Sequence, residues 1–197
     1  MVKKERKFNL KSEYKLGWKY LVESKKFIYL TVGIFLFFFF LGFFVTPSEE
    51  ITQSIFKFIQ ELLEKTDRMS HFELIKFIFF NNVQSGFFGL ILGTGFGLFP
   101  LFATITNGFL IGFVSSFAVS QGGFFVLWRL LPHGIFELPA IFISFGLGLK
   151  LGSFILYKEK MKTLKTFFIS SLKVFFYFVI PLLIIAGIIE GTLIALI

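Results

Sequence analysis

Three ionisable side chains stand four residues apart in "LWRLLPHGIFELP", residues 127–139: Arg129, His133 and Glu137, around Pro132 and Gly134. A neutral imidazole can take a proton that a carboxylate gives up, and at i,i+4 both share one helix face. The chain has further polar residues in apolar surroundings: Glu190 in "IIAGIIEG", Asn81 and Asn82 in "FIFFNNVQSG", and Asn107 in "FATITNGF". Three chemistries fit this set. The groups can pair as a structural clamp, bind an ion or small ligand on a transport path, or act as acid and base. Catalysis has the least support, because HExxH and GxSxG are absent and the spans hold no aspartate. One histidine with two carboxylates is a conceivable metal set, but its spacing is not diagnostic. No catalytic residue, metal or cofactor is therefore expected.

These side chains need a frame that keeps them where they are costly. The chain has 197 residues, of which 55% are hydrophobic and 34 are Phe. Its mean hydropathy of +0.81 places it among integral membrane proteins, all-α and polytopic. Cysteine is absent, which excludes disulfides and thiol chemistry. The net charge of +8 flanks apolar spans, so it reads as a topology signal and no nucleic-acid partner is expected.

Residues 1–26 form a basic segment, too long and too charged for a signal peptide, and the first span is expected to remain in the mature protein. Within it, Leu10, Tyr14, Trp18 and Leu21 recur at helical steps between lysines, which predicts an interfacial helix over 9–24. The remaining residues, 27–197, are expected to form a single membrane domain. Its spans are about 27–45, 71–96, 98–119, 134–156 and 167–197. Ser48 followed by Glu49 and Glu50 reads as an N-cap with acids in the first turn. Ile51, Ile55, Phe58 and Leu62 then mark an amphipathic helix over 49–65. "SHFE", residues 70–73, has capping-box spacing. Pro132 disfavours a helical Leu131, so 124–131 is expected to be a separate half-helix or re-entrant piece. The Pro-His-Gly turn then opens the fourth span with free N–H groups that favour an anion or a carboxylate such as Glu190.

Nine Lys/Arg lie in 1–26 and four in 157–166, whereas 46–76 holds four against six acids. Five spans with the N-terminus in the cytoplasm and the C-terminus outside satisfy all three segments, in a plasma membrane. Lys150, ~12 Å along the helix from Lys158, can snorkel to the inner face, and Lys173 likewise. Glu137 cannot, at ~31 Å from Lys158, nor can Glu190, ~25 Å from Lys173. Each intramembrane ionisable group costs roughly 2.5–3.5 kcal/mol at mid-span. Depth thus brings Asn81, Asn82, Asn107, Arg129, His133, Gly134, Glu137 and Glu190 to one shared polar site in the outer half. Five GxxxG pairs, Gly89/Gly93, Gly93/Gly97, Gly108/Gly112, Gly148/Gly152 and Gly187/Gly191, predict close helix packing, within the chain or in a homodimer.

"LLPHGIFELPAIFIS" (130–144), "FIFFNNVQSG" (77–86), "FPLFATITNGFLIGFV" (99–114) and "IIAGIIEG" (184–191) resemble, in order, the stage II sporulation protein M family of membrane proteins. The motif positions are Asn82, Asn107, Gly108, Pro132, His133, Gly134, Glu137 and Glu190. The family's best-known members anchor cell-wall hydrolases during spore engulfment, so the resemblance implies a non-enzymatic membrane scaffold. A small transporter or channel built on the buried His/Glu/Asn site is the other reading. The partners these readings allow are the lipid bilayer, a second copy of the chain, and other membrane or extracytoplasmic proteins.

Overall fold

The computed structural model describes residues 9–196, with the backbone alone at 128–133. The described residues are α-helical with short 3-10 and π stretches and contain no strand. The helices are α1 (Leu10–Glu23), α2 (Lys25–Phe44), α3 (Glu49–Thr66), α4 (His71–Ile91), α5 (Leu98–Gly122), α6 (Leu131–Gly152), α7 (Lys160–Val174) and α8 (Ile180–Leu196). Five helical stretches are long and apolar enough to cross a membrane: Lys25–Phe44, His71–Thr94, Leu98–Gly122, Gly134–Leu156 and Lys160–Leu196.

Local chemistry sets the helix ends. The Asn9 side chain accepts from the N–H groups of Lys11 and Ser12 and starts α1. Ser70 and Glu73 close a reciprocal capping box at the start of α4. Ser48 occupies the N-cap position of α3 but makes no side-chain cap bond, so Glu49 and Glu50 carry that end through the helix dipole. Between α4 and α5 the chain turns through Phe96 and Gly97 at φ 59° and 74°. That left-handed conformation suits Gly97 and strains Phe96.

Two expected boundaries differ. The segment expected as a half-helix over 124–131 is a 3-10 helix, Phe124–Leu130, and α6 begins at Leu131. Pro132 then lies in the first turn of α6, where its missing N–H has no intrahelical partner to lose. The loop expected over 157–166 ends early, because α7 starts at Lys160. From there one rod runs to Leu196, with a π stretch at Phe175–Val179. Pro181 has no N–H and crowds the carbonyl of Tyr177, which accounts for the widened turn.

Successive spans alternate in direction. One end of the bundle gathers α1, the α4–α5 turn and the α6–α7 turn; the other gathers α3, the 3-10 helix and the close of α8. Glycines decide which helices touch. A Cβ on Gly108 or Gly112 would meet the backbone carbonyls of Phe35 and Phe39, so α2 and α5 pack backbone to backbone. Gly89 receives the Phe145 ring and Gly93 rests on Gly148, which joins α4 to α6. Gly97 and Gly152 meet at the α1 end, and Gly187 and Gly191 seat α8 on Phe79 and Ile75 of α4. In lipid such close approach gains dispersion contacts that larger residues would block. Leu90, Leu147, Phe175, Val179 and Leu183 fill the centre.

By contrast, α3 has no buried residue. It touches α5 through Phe56, whose ring meets Phe113 at 5.9 Å and Phe117 at 4.8 Å. Beneath it lies an apolar cavity of about 670 Å³, walled by residues such as Phe39, Phe58, Leu110 and Ile135.

Candidate functional site

Glu137 sits about two turns into α6, and Asn82 faces it from the middle of α4. Both are buried, with 9% and 7% of their surface exposed. The Asn82 Nδ2 donates to Glu137 Oε2 at 2.6 Å. The bond is possible because the small residues below it hold α4 and α6 together. Gly86 comes against Ser144 one turn further along, and Gly89 and Gly93 follow. Ser144 stands seven residues after Glu137 on the same α6 face, fully buried, with no hydrogen-bond partner among the described residues. The α4–α6 seam is thus polar in its first half and glycine-lined in its second. Heptad spacing from Glu137 is the signal that could have picked out Ser144.

The other predicted site residues take different places. Glu190 is half-buried on α8, between the two glycines that seat α8 on α4. By the register of those glycines it lies level with Ile75 and Phe79, one to two turns nearer the start of α4 than Asn82. Beside it, His71 Nε2 and Thr192 Oγ1 lie 3.1 Å apart and tie the two helix ends. Asn81 is exposed on the outer face of α4, because adjacent helical residues point ~100° apart, so it does not join the buried bond. Asn107 turns back on its own helix, its Nδ2 donating to the Ala103 carbonyl at 2.8 Å. Gly134 lines the apolar cavity under α3, and a Cβ there would meet only Leu138 Cδ1 at ordinary contact distance. The side chains of Arg129, Pro132 and His133 lie outside the described residues.

A second polar centre occupies the opposite end, where Lys150 and Lys173 were expected to snorkel. Lys150 instead is 6% exposed and covered by α1. Its Nζ donates to Ser24 Oγ at 2.9 Å and stands 3.7 Å from the centre of the Tyr20 ring. Ser24 Oγ in turn donates to the Tyr20 carbonyl at 2.6 Å. The Tyr20 hydroxyl donates to the Phe167 carbonyl and accepts from Ser171 Oγ, both at 3.4 Å. Burial pushes the Tyr20 phenol above its ordinary range, with the Ser171 bond opposing the shift and the nearby negative charge of Glu23 adding to it. Lys173 pairs with Glu13 of α1. Tyr14 and Trp18 complete the contact by packing on Phe178 at 4.6 and 5.8 Å. The aromatic and lysine pattern of 9–24 signalled an interfacial helix, but nothing in it marked Lys150 as the partner.

Chemically, the first centre is a carboxylate gripped by an amide, which locks two spans. The second is an ammonium gripped by a hydroxyl and a π face, which holds a surface helix to the bundle. Among the described residues no three His, Cys, Asp or Glu side chains come together as a metal site.

The family model for stage II sporulation protein M matches residues 31–193, from the second turn of α2 to near the end of α8. Neither the curated proteins nor the solved structures yield a match. The matched stretch takes in three spans whole and most of the first and last, with both Asn82 and Glu137, and leaves out α1. The chain belongs to the stage II sporulation protein M (SpoIIM) family.

Proposed function

We propose that this SpoIIM-family membrane protein is a non-enzymatic scaffold of the plasma membrane. Its bundle is a rigid platform, and α3 is the surface offered to partner proteins. The observation that carries the reading is the contrast between a seam closed by glycines and the Asn82–Glu137 bond and a helix left almost unattached. On α3, Ile51, Phe58 and Leu62 stay 49%, 54% and 40% exposed. An amphipathic helix on the interface with an unfilled apolar face suits docking of another helix. The lysine distribution sets the orientation in this reading, with α1 in the cytoplasm and α3 and the end of α8 outside.

The test compares two variants in crosslinked native membranes. Deletion of 49–65 is expected to abolish partner recovery, and Glu137→Gln to leave it intact. The reverse pattern would sink the scaffold.

The transport reading draws on Glu137 and Glu190 lying at depth. In the cysteine-free chain, cysteines at Ile141 and Ala186 test it. Both positions are buried, 8% and 1% exposed, so a charged impermeant thiol reagent is expected to leave them unlabelled. Rapid labelling, with pH-dependent flux in liposomes that Glu137→Gln abolishes, would replace the scaffold with a transporter.

A further inference from the structure

The α3–α4 elbow encloses a second concavity, of about 580 Å³, open to the side of the bundle. Three cations from both arms of the elbow line it: Lys65, Arg68 and Lys76. None of the three is ion-paired among the described residues. Glu73 shares the wall, its Oε2 accepting from Ser70 N at 2.9 Å and from Ser70 Oγ at 2.7 Å in the cap of α4, and its charge acts on Lys76, so the wall carries three positive charges against one negative. The lysine heads are placed over aromatic rings, Lys65 Nζ at 4.9 Å from the centre of Phe77 and Lys76 Nζ at 4.3 Å from that of Phe72. Positive charge therefore converges at the first two turns of a membrane span, at interfacial depth.

Further along the same face stand Asn81 and Gln84, roughly 7 and 12 Å beyond Lys76 along the helix. Both are exposed, both line the concavity, and neither side chain hydrogen-bonds within the described residues. An amide turned toward hydrocarbon without a partner is costly, so this face expects a polar occupant at that depth. Beyond the amides the face turns apolar again, with Phe88 exposed. The order along the helix is cation, amide donor, aromatic. A membrane phospholipid presents the complementary order: phosphate, ester carbonyls, acyl chain.

We propose that the α3–α4 elbow is a binding site for a phosphate group, supplied by an anionic phospholipid. The three cations take the phosphate, the Asn81 amide donates to an ester oxygen below it, and the chains run down α4 past Gln84 and Phe88. The site is separate from the buried Asn82–Glu137 bond on the other side of the helix and stands whether or not the scaffold reading does.

Native mass spectrometry of the full-length protein in neutral detergent tests it, with phosphatidylglycerol, phosphatidylcholine and inorganic phosphate as probes. Phosphatidylglycerol is expected to bind at least about tenfold more tightly than phosphatidylcholine. Each of Lys65→Gln, Arg68→Gln and Lys76→Gln is expected to weaken it about fivefold. Asn81→Leu with Gln84→Leu is expected to weaken both lipids several-fold and to keep the preference between them. All five positions are exposed, and the melting temperature of each variant reports that it folds. Inorganic phosphate displacing phosphatidylglycerol at equal concentration would reassign the source to free phosphate. An unchanged preference in the triple glutamine variant would overturn the site. So would amide variants that convert a dimer to a monomer without touching lipid binding, since the amides would then pair between copies.

Discussion

Two charged residues of one helix, thirteen positions apart, solve the same problem differently. Glu137 and Lys150 both lie on α6, both are nearly buried, and each needs a partner to stay there. Glu137 finds it in Asn82 on a neighbouring span, so the bond belongs to the interior of the bundle. Lys150 finds it in Ser24 and Tyr20, at the end of a helix that lies across the bundle. The reason is what packs there, since both groups lie within about two turns of an end of the span. At Glu137 the neighbouring span α4 supplies the partner. At Lys150 it is α1, which covers that end of the bundle. The first kind of bond makes the core unique; the second attaches an appendage, and the two should separate under mutation.

The largest effect should come from the seam that both depend on. Gly148 lies on α6 between the two residues, and a Cβ there would overlap the carbonyl of Gly89. Gly148→Ala is expected to force α6 off α4 and cost about 3 kcal/mol, read as unfolding in mixed micelles with increasing SDS. Gly33→Ala, where a Cβ would meet nothing within 4 Å, is expected to be neutral or slightly stabilising. Equal melting of the two would show that the glycine seam is not what closes the bundle.

Next in size is the Asn82–Glu137 bond. Glu137→Ala strands a buried amide and is expected to cost about 2 kcal/mol. Glu137→Gln keeps an oxygen for Asn82 to donate to, so its cost should stay under about 1 kcal/mol. The same unfolding assay decides. If the glutamine variant is as unstable as the alanine one, the carboxylate is needed for its charge, and the comparison with Lys150 is no longer one of hydrogen-bonded clamps.

Much of this was legible in the residues. Runs of about twenty apolar residues fix five spans, because hydrocarbon thickness leaves little choice of length. Glu137 stood out because it lies too far from the cytoplasmic end of its span to snorkel there. Lys150 did not, because a lysine near a span end has a cheap alternative in snorkelling, and only the placement of α1 removes it. Depth alone did not separate Asn81 from Asn82, since one step around the helix decides which faces α6; only the family resemblance singled out Asn82. The glycine pairs announced close packing but not its partners. In lipid the outer faces are as apolar as the inner ones, so hydropathy does not mark a helix's buried side. The α7 start was hidden for the opposite reason: Lys160, Lys162 and Lys165 fit a basic loop and a basic helical turn equally well.

The Lys150 centre should then fail without the bundle. Lys150→Met keeps the stem and loses the Ser24 bond and the contact with the Tyr20 ring. Release of α1 is expected to become easier by about 1–2 kcal/mol, seen as faster amide exchange over 10–23, with bundle unfolding unchanged within about 0.5 kcal/mol. Exchange over 10–23 as slow as in the parent would mean that Lys173–Glu13 and the aromatic contacts hold α1 without Lys150.

The smallest effect is a pH dependence from Tyr20. Its phenol is raised by burial when α1 is docked, and should return to about 10 when α1 is free in water. The docked state therefore binds the phenolic proton more tightly. The phenol's contribution to docking is complete below about pH 10 and is lost as pH climbs from there toward the raised value, because the free helix gives up its proton first. Lys150 also loses charge in alkali, so the parent alone cannot separate the two. Tyr20→Phe can: it keeps the ring under Lys150 and removes the phenol's titration. Amide exchange over 10–23 should accelerate from pH 9.5 to 11 more in the parent than in Tyr20→Phe, after correction for intrinsic exchange. Identical profiles would mean that the phenol meets water even in the docked state, and that the ring is what Lys150 uses of Tyr20.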